Sequence, residues 1–189
     1  LPARAAAEVL PRLDGDFPER IGQLSYADVA VVVLGFQRRH VAHPLDGFGL
    51  LAPEVERRHV LGCLFSSSLF PRRAPPEHVA LAAFVGGARH PERVAQPADT
   101  IARRVLDDLR PLLGLDGEPE VQRVECWRPA IPQYRVGHGD LVQAAQAFER
   151  AAAGIFVSGN LLGGVSVGDC IRNATALAAR VQTFLGRML

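Results

Sequence analysis

Cysteine and lysine are scarce in this 189-residue chain, which has three cysteines and no lysine. Cys63, Cys126 and Cys170 lie far apart and form no C-x-x-C pair, which excludes a cysteine-rich zinc site and a disulfide framework. This usage favours a reducing, intracellular setting. The formal net charge is only +1, whereas nucleic-acid-binding proteins usually carry a strongly basic face, so nucleic acid is not expected as the main partner.

Long apolar runs and a leader sequence are also lacking. No run approaches the roughly 18 residues that a transmembrane helix needs, and the longest candidate, 29–36, has the length of a strand. The opening residues, LPARAAAEVLPRLD, carry charges throughout, unlike a signal peptide. Because the chain also begins without methionine, we expect a fragment, a processed chain or an excised domain.

Motifs for metal binding, nucleophilic catalysis and dinucleotide binding are missing. His40 and His43 are three residues apart but lack a third ligand at a suitable spacing, so no metal site is predicted. The serines at 66–68 have no G-x-S-x-G context, and none of the 18 glycines belongs to a G-x-G-x-x-G motif. No side chain has the sequence context of a general acid or base, so no catalytic residue is predicted.

The rest of the composition, 48% hydrophobic and 22% charged, is typical of a globular protein. The nearly all-apolar run at 25–36 predicts a strand buried on both faces. Periodicity and turn residues predict further strands over 59–68, 78–87 and 121–127, an extended segment at 131–134, a short strand at 154–160, helices over 3–10, 98–114, 140–153 and 169–188, and a loop over 11–18. The expected fold is α+β with α/β-like features: a mixed, largely antiparallel sheet with flanking helices, followed by a C-terminal strand-loop-helix.

The last helix carries apolar residues at helical spacing, and this pattern predicts that one face of the helix is buried. The stripe consists of Ile171, Ala174, Ala178, Val181, Leu185 and Met188.

A glycine-rich stretch, GNLLGGVSVGDCIRNA at 159–174, precedes and opens this helix. A thin backbone at a helix N-terminus lets acceptor groups of a ligand approach the unpaired N–H groups. Asp169 in the first turn would oppose an anion, so we expect a polar neutral or weakly anionic group there. An ordinary tight turn with glycines at positive φ is the alternative reading.

Five segments together resemble a known enzyme family. HPLDGFGLL, LGCLFSSSLFPRRAP, FVGGARHPE, CWRPAIPQYRVGH and GNLLGGVSVGDCIRNA occur in the order and spacing of the C-terminal half of the protoporphyrinogen oxidase family. Those flavoenzymes belong to the FAD-dependent amine-oxidase superfamily. The resemblance covers nearly the whole chain, 1–185. The blocks IPQY-x-x-GH and GN-x-x-GGV-x-x-x-DCI are its most specific parts.

The resemblance implies FAD as cofactor and a tetrapyrrole as substrate. Residues matching flavin-lining positions are Trp127, Gly159, Asn160, Val165, Ser166 and Val167. Residues matching tetrapyrrole-facing positions are Phe48, Leu51 and Phe84. For Trp127 and for the three tetrapyrrole-facing residues, plain core packing is the alternative.

The resemblance also implies how the chain is divided. Residues 1–135 would form part of the substrate-binding domain, and 136–189 a flavin-covering segment of the FAD-binding domain. The half that carries the dinucleotide-binding motif has no counterpart here, so the chain alone is expected to bind FAD poorly and to be inactive. That half is the expected partner, and self-association, including a homodimer, is left open. A cytoplasmic location is expected, with peripheral membrane contact through the missing half.

The implied reaction is the oxidation of protoporphyrinogen, or of coproporphyrinogen, to a porphyrin of haem biosynthesis, with O2 reduced to hydrogen peroxide. Two alternatives stay open. One is a non-catalytic interaction half or remnant that needs a partner chain. The other is a different member of the superfamily, such as an amine oxidase or a carotene desaturase, although the last 40 residues lack the aromatic cage of an amine oxidase.

Overall fold

The computed structural model of the protein describes residues 3–10 and 16–186. Its helices are α1 (Ala3–Val9), α2 (Phe17–Gly22), α3 (Ser66–Leu69), α4 (Pro91–Val94), α5 (Ala98–Leu113), α6 (His138–Ala151) and α7 (Val167–Leu185). Its strands are β1 (Tyr26–Gln37), β2 (Gly49–Leu51), β3 (Val60–Leu64), β4 (His78–Gly86) and β5 (Val121–Pro132). The chain divides into two compact units, a sheet unit of Ala27–Ala130 and a helical unit of Leu1–Tyr26 with Ile131–Leu189.

The sheet has the strand order β2-β3-β4-β1-β5. The pairs β2–β3, β3–β4 and β1–β4 are antiparallel. A register shift between Val60 and Gly62 marks a bulge in β3. At β5, Glu120 N–H donates to Gly35 O at 2.8 Å and Gln133 N–H donates to Ser25 O at 2.8 Å, so this edge also runs antiparallel to β1. The predicted α+β fold with a largely antiparallel sheet is confirmed.

One face of the sheet is buried under α5. Alternate β1 residues, Ala30, Val32, Leu34 and Phe36, are fully buried in one cluster with the apolar stripe of α5. On the other face of β1, Val33 is exposed. The prediction that this strand is buried on both faces is therefore wrong for its second half, because no helix in the described part of the sheet unit covers that face.

The helical unit has its own apolar cluster. Phe17 and Ile21 of α2 pack with Leu141, Ala145 and Phe148 of α6, and the Phe17 and Phe148 rings lie 5.3 Å apart. The sequence prediction placed a loop at 11–18, and part of that stretch lies outside the described residues. Pro18 occupies the first turn of α2, where its missing N–H costs nothing, so the described end of that loop is helical instead.

The predicted strand at 154–160 is absent. Ile155 N–H donates to Ala152 O at 2.9 Å and Val157 N–H donates to the Glu149 carboxylate at 2.7 Å. These donors are therefore used by the end of α6 and are not available for a strand ladder. The predicted strand at 59–68 was too long, because Ser66 begins α3. The predicted strand at 121–127 was too short, because β5 continues to Pro132 and includes the start of the predicted extended segment.

Helix α7 begins two residues earlier than predicted and exposes most of the stripe that was expected to be buried. Ile171 is 62% exposed, Ala174 and Ala178 are also exposed, and no α7 residue is fully buried. Val181 is the half-buried member of the stripe, and it shares the half-buried side of the helix with Asn173, Leu177 and Phe184. Met188 lies outside the described residues.

Among the described residues, no helix is both long and apolar enough to cross a membrane. The predicted division into a substrate-binding part, 1–135, and a flavin-covering part, 136–189, concerns what each part binds. It stays a prediction, since compactness alone does not test it.

Candidate functional site

The glycine loop, residues 159–166, connects the end of the α6 region to α7. Gly159 and Gly164 have positive φ values of +119° and +76°, where residues with a Cβ are strained. An added Cβ at Gly164 would overlap the side chain of Asp169, whereas one at Gly159 or Gly163 would meet nothing within 4 Å. The loop thus combines a tight turn against α7 with an open backbone surface at Gly159 and Gly163, and the approach of a ligand to that surface stays a prediction.

Side chains from two segments hold the carbonyl groups of this loop. The Tyr134 hydroxyl donates to Asn160 O, His138 Nε2 lies 3.2 Å from Leu162 O, and Asn173 Nδ2 donates to Gly163 O at 2.5 Å. The carbonyl acceptor places the His138 proton on Nε2. Cys170 Sγ adds a weak contact at 3.9 Å to Gly164 O.

Tyr134 and His138 also stack on each other. Their ring centroids are 4.1 Å apart and the ring planes differ by 19°. Burial, followed by the charges of Cys170 and Asp169, raises the pKa of Tyr134 above its ordinary value, so the phenol stays protonated and remains a donor at neutral pH. The sequence analysis quoted the blocks that contain Tyr134, His138 and Asn173 but did not assign them a role. No local pattern in the sequence indicated these contacts, because the segment between Tyr134 and His138 is not helical.

The start of α7 is capped by Ser166. Its hydroxyl oxygen accepts from Asp169 N–H at 3.0 Å, and the hydroxyl donates to Asp169 Oδ2 at an O–O distance of 2.7 Å. This hydrogen bond and then the Arg172 guanidinium lower the pKa of Asp169, so the carboxylate is ionised at neutral pH. Because Arg172 pairs with Asp169, the negative charge is partly offset beside the helix N-terminus. The reciprocal S-x-x-D cap explains why α7 begins before the predicted residue 169.

The predicted flavin-lining residues of the loop and helix start are accessible. Val165, Ser166 and Val167 are exposed, and Gly159 and Asn160 are half-buried. A flat apolar ring could therefore contact the valines while its polar edge meets the loop backbone. Their role in cofactor binding stays a prediction.

The predicted tetrapyrrole-facing residues lie in the sheet unit. Leu51 pairs with Gly62, Gly62 with Phe84, and Phe84 with Val31, so Leu51 and Phe84 lie in one row on the sheet face opposite α5. Leu51 is 87% exposed, and Phe84 is half-buried. Plain core packing is therefore wrong for Leu51. Val31 and Val33 share this face and were not predicted, because the nearly all-apolar sequence of β1 does not distinguish its two faces.

Phe48 and Trp127 are exposed as well. Phe48 directly precedes β2, and its carbonyl accepts from Phe65 N–H at 3.1 Å. Trp127, on β5, is 59% exposed. Both side chains are therefore free of the core of this chain, and the core-packing alternative is wrong for both. Over the described ranges, no cluster of three or more His, Cys, Asp or Glu side chains has the arrangement of a metal site.

A comparison with protein-family models identifies the class of protein to which the chain belongs. Residues 1–182 match the family model of flavin containing amine oxidoreductases. The chain belongs to this family, and its fold and glycine loop agree with that membership.

Individual relatives within this family are porphyrinogen oxidases. The chain is 36% identical over 168 residues to the mitochondrial protoporphyrinogen oxidase of Nicotiana tabacum, covering 87% of this chain and 33% of the relative. It is 29% identical over 185 residues to the coproporphyrinogen III oxidase of Bacillus subtilis (strain 168), covering 97% of this chain and 39% of the relative. The chain spans about a third of the length of the curated relatives it matches.

A solved structure supports the same fold. The chain superimposes with a TM-score of 0.81 and 25% sequence identity on an Exiguobacterium sp. 255-15 protein whose name describes it as a candidate protoporphyrinogen oxidase. The match covers 97% of this chain and 40% of that chain. The predicted family resemblance is thus confirmed.

Proposed function

We propose that this chain is the C-terminal part of an oxygen-dependent porphyrinogen oxidase of haem biosynthesis. The substrate is protoporphyrinogen or coproporphyrinogen, the cofactor is FAD, and O2 is reduced to hydrogen peroxide. One observation carries the proposal. The two most family-specific blocks of the sequence, IPQY-x-x-GH and GN-x-x-GGV-x-x-x-DCI, meet at the glycine loop, where Tyr134, His138 and Asn173 bond to its backbone.

The glycine loop fits a flavin. The backbone at Gly159 and Gly163 faces open space, so a planar ring can approach it without meeting a side chain. Exposed Val165 and Val167 offer apolar contact to the ring. The N-terminus of α7 carries about half a positive charge from its unpaired N–H groups. That charge would stabilise negative charge on the nearby edge of a reduced flavin.

FAD, when bound, would supply the hydride acceptor, which accounts for the lack of a predicted catalytic side chain. The chain's own residues would bind and orient. On the sheet face opposite α5, Leu51 and Phe84 would contact the apolar face of the macrocycle, with Phe48 beside them, since branched and aromatic side chains bind π faces without reacting. We place Trp127 next to the flavin.

The remaining part of the enzyme is the partner we propose. Two observations support it: the relatives are about three times as long as this chain, and the apolar stripe of α7, with Ile171 and Leu185, is exposed. Under this proposal the other part brings the dinucleotide-binding motif, and the isolated chain is inactive. A non-catalytic interaction half would instead leave the complete gene product without flavin. A homodimer would cover the same stripe with a second copy of the chain.

The test uses the complete gene product that contains this chain. We expect flavin absorption bands in the purified protein, and bleaching of those bands when protoporphyrinogen or coproporphyrinogen is added without O2. Admission of O2 should restore the bands, with porphyrin fluorescence and hydrogen peroxide as products. Assaying the two porphyrinogens side by side identifies the substrate. A colourless protein that neither binds added FAD nor oxidises either porphyrinogen would refute the proposal.

A further inference from the structure

The carbonyl groups of the glycine loop are held by side chains that are distant in sequence. Tyr134 lies 26 residues before its acceptor, Asn160, and His138 lies 24 residues before its acceptor, Leu162. Asn173 reaches back 10 residues to Gly163. The backbone of the loop is thus fixed from both sides, by the start of α6 and by the first turns of α7.

Fixing a carbonyl also fixes the N–H group of the following residue. The peptide unit is planar and trans, so the N–H of residue i+1 points opposite to the C=O of residue i. Because Leu162 O and Gly163 O point toward His138 and Asn173, the N–H groups of Gly163 and Gly164 point away from these side chains. In the described part of the chain, no residue accepts a hydrogen bond from either N–H.

The stack of Tyr134 on His138 makes this arrangement rigid. A turn in which His138 N–H donates to Arg135 O at 3.0 Å brings the two rings to the same side, and each ring then donates to a different carbonyl of the loop. A loop that only had to connect two helices would not require two aromatic donors and an amide. Ordered N–H groups without an acceptor among the described residues are suited to a ligand with acceptor atoms along a planar edge.

We propose that Tyr134, His138 and Asn173 are positioning residues that orient the N–H groups of the glycine loop toward the acceptor edge of the flavin ring. This inference rests on the proposed function for the identity of the ligand. The three side chains touch the loop backbone and not the reacting atoms, so they act through the loop. They preorganise the donors, which lowers the cost of ordering the loop when the cofactor binds.

The test compares variants of the complete gene product purified with FAD. Tyr134→Phe and His138→Phe each remove one donor and keep an aromatic ring, and Asn173→Ala removes the third. Loss of one such hydrogen bond should raise the FAD dissociation constant about 3- to 10-fold. The flavin reduction potential should become more negative, because fewer oriented N–H groups stabilise the reduced ring. The visible flavin spectrum should shift as well.

Tyr26→Phe is the matched control. The chain has only two tyrosines, and the Tyr26 hydroxyl accepts a hydrogen bond from Ala3 N–H at 3.1 Å and donates to no carbonyl group of the glycine loop. This control should keep the wild-type affinity, spectrum and potential. His138→Gln retains an N–H donor without the ring and should recover part of the affinity lost in His138→Phe. Circular dichroism verifies that each variant is folded.

Amide hydrogen exchange provides a readout that is independent of turnover. FAD should slow exchange at Gly163 and Gly164 in the wild-type protein. The slowing should be weaker at Gly163 in His138→Phe, which releases Leu162 O, and at Gly164 in Asn173→Ala, which releases Gly163 O. The proposal is overturned if folded Tyr134→Phe and His138→Phe match Tyr26→Phe in affinity and potential, and His138→Phe also matches it in exchange, while the wild-type protein binds FAD. A wild-type protein that binds no flavin would overturn the proposed function itself, and this inference with it.

Discussion

At the residue scale, substitutions can distinguish exposed side chains that we propose contact the substrate, on the sheet face opposite α5, from side chains that are only exposed to solvent. We predict that Leu51→Ala raises KM for the porphyrinogen roughly 10-fold, through lost apolar contact, with little change in stability. Val55→Ala is the control, because Val55 is 85% exposed against 87% for Leu51 but lies outside the strands. Steady-state kinetics of the complete gene product measure both variants. Equal KM values would show that the macrocycle does not contact Leu51.

The glycine loop offers a second comparison at this scale. We predict that Gly164→Ala lowers the free energy of unfolding by more than about 1 kcal/mol, because φ is positive and the new Cβ would overlap Asp169. Gly163→Ala should be tolerated, since an added Cβ there meets nothing within 4 Å. Urea unfolding of the two variants gives the difference. Equal losses would mean that the close contact with Asp169 is relieved by movement of the loop.

The glycine-rich stretch stood out in the sequence because glycine density before a helix is a local signal. The individual residues predicted to line the flavin or the tetrapyrrole, among them Gly159, Asn160, Leu51 and Phe84, came from the family resemblance and stay predictions. The roles of Tyr134, His138 and Asn173 were missed. Each acts on a backbone carbonyl 10 to 26 residues away, and no local pattern reports which carbonyl a side chain will reach.

At the scale of elements, Asp108 joins α5 to β3. Its carboxylate accepts from His59 N–H at 2.6 Å and from Val60 N–H at 3.0 Å. We predict that Asp108→Ala lowers the free energy of unfolding by about 1–3 kcal/mol, because two largely buried donors lose their acceptor. Asp108→Asn keeps one acceptor oxygen and should lose less.

Asp107→Ala is the control for this prediction. Asp107 is the adjacent carboxylate on the same helix, and it is exposed. Its replacement should leave the unfolding free energy within about 0.5 kcal/mol of the wild-type value. If the two alanine variants were equally stable, the join between α5 and β3 would not depend on the carboxylate.

Elements with strong periodicity and clear end signals were predicted well. Strands β1 and β4 and helix α5 lie within one residue of their predicted bounds, because each has a local signal. A β-branched apolar run marks β1, a glycine pair ends β4, and apolar spacing with Gly114 marks α5. The apolar run at 154–160 was mistaken for a strand, since apolar content does not reveal that the Glu149 carboxylate and Ala152 O take up two of its N–H groups.

At the scale of the whole molecule, stability should vary with pH through a surface pair of the sheet unit. His78 Nε2 lies 3.0 Å from Glu120 Oε2, and Gln37 also donates to Glu120. A hydrogen bond to Pro76 O, and then the Glu120 carboxylate, raise the pKa of His78 above its ordinary 6.5. The Gln37 and His78 contacts lower the pKa of Glu120 below its ordinary 4.5.

The two pKa shifts define a pH range in which both groups contribute to stability. The His78 contribution is fully present below pH 6.5 and is lost as pH rises through its raised pKa; the Glu120 contribution is present above pH 4.5 and is lost as pH falls through its lowered pKa. We therefore predict that the Tm difference between wild type and His78→Gln is largest between these values and shrinks on the alkaline side. Thermal melts of the two proteins over a pH series measure it. A Tm difference that is the same at every pH would contradict the assignment.

The sequence by itself determined the family, the α+β class and the main strands and helices, because family blocks, alternation and helical spacing are all local in the chain. The tertiary structure decided which side chains face outward and which carbonyls are held. The α7 stripe is apolar in sequence yet exposed, and Tyr134 is an ordinary aromatic in sequence yet bonds to the glycine loop. Burial and hydrogen-bond partners depend on segments far apart in the chain, so they are settled only when those segments pack.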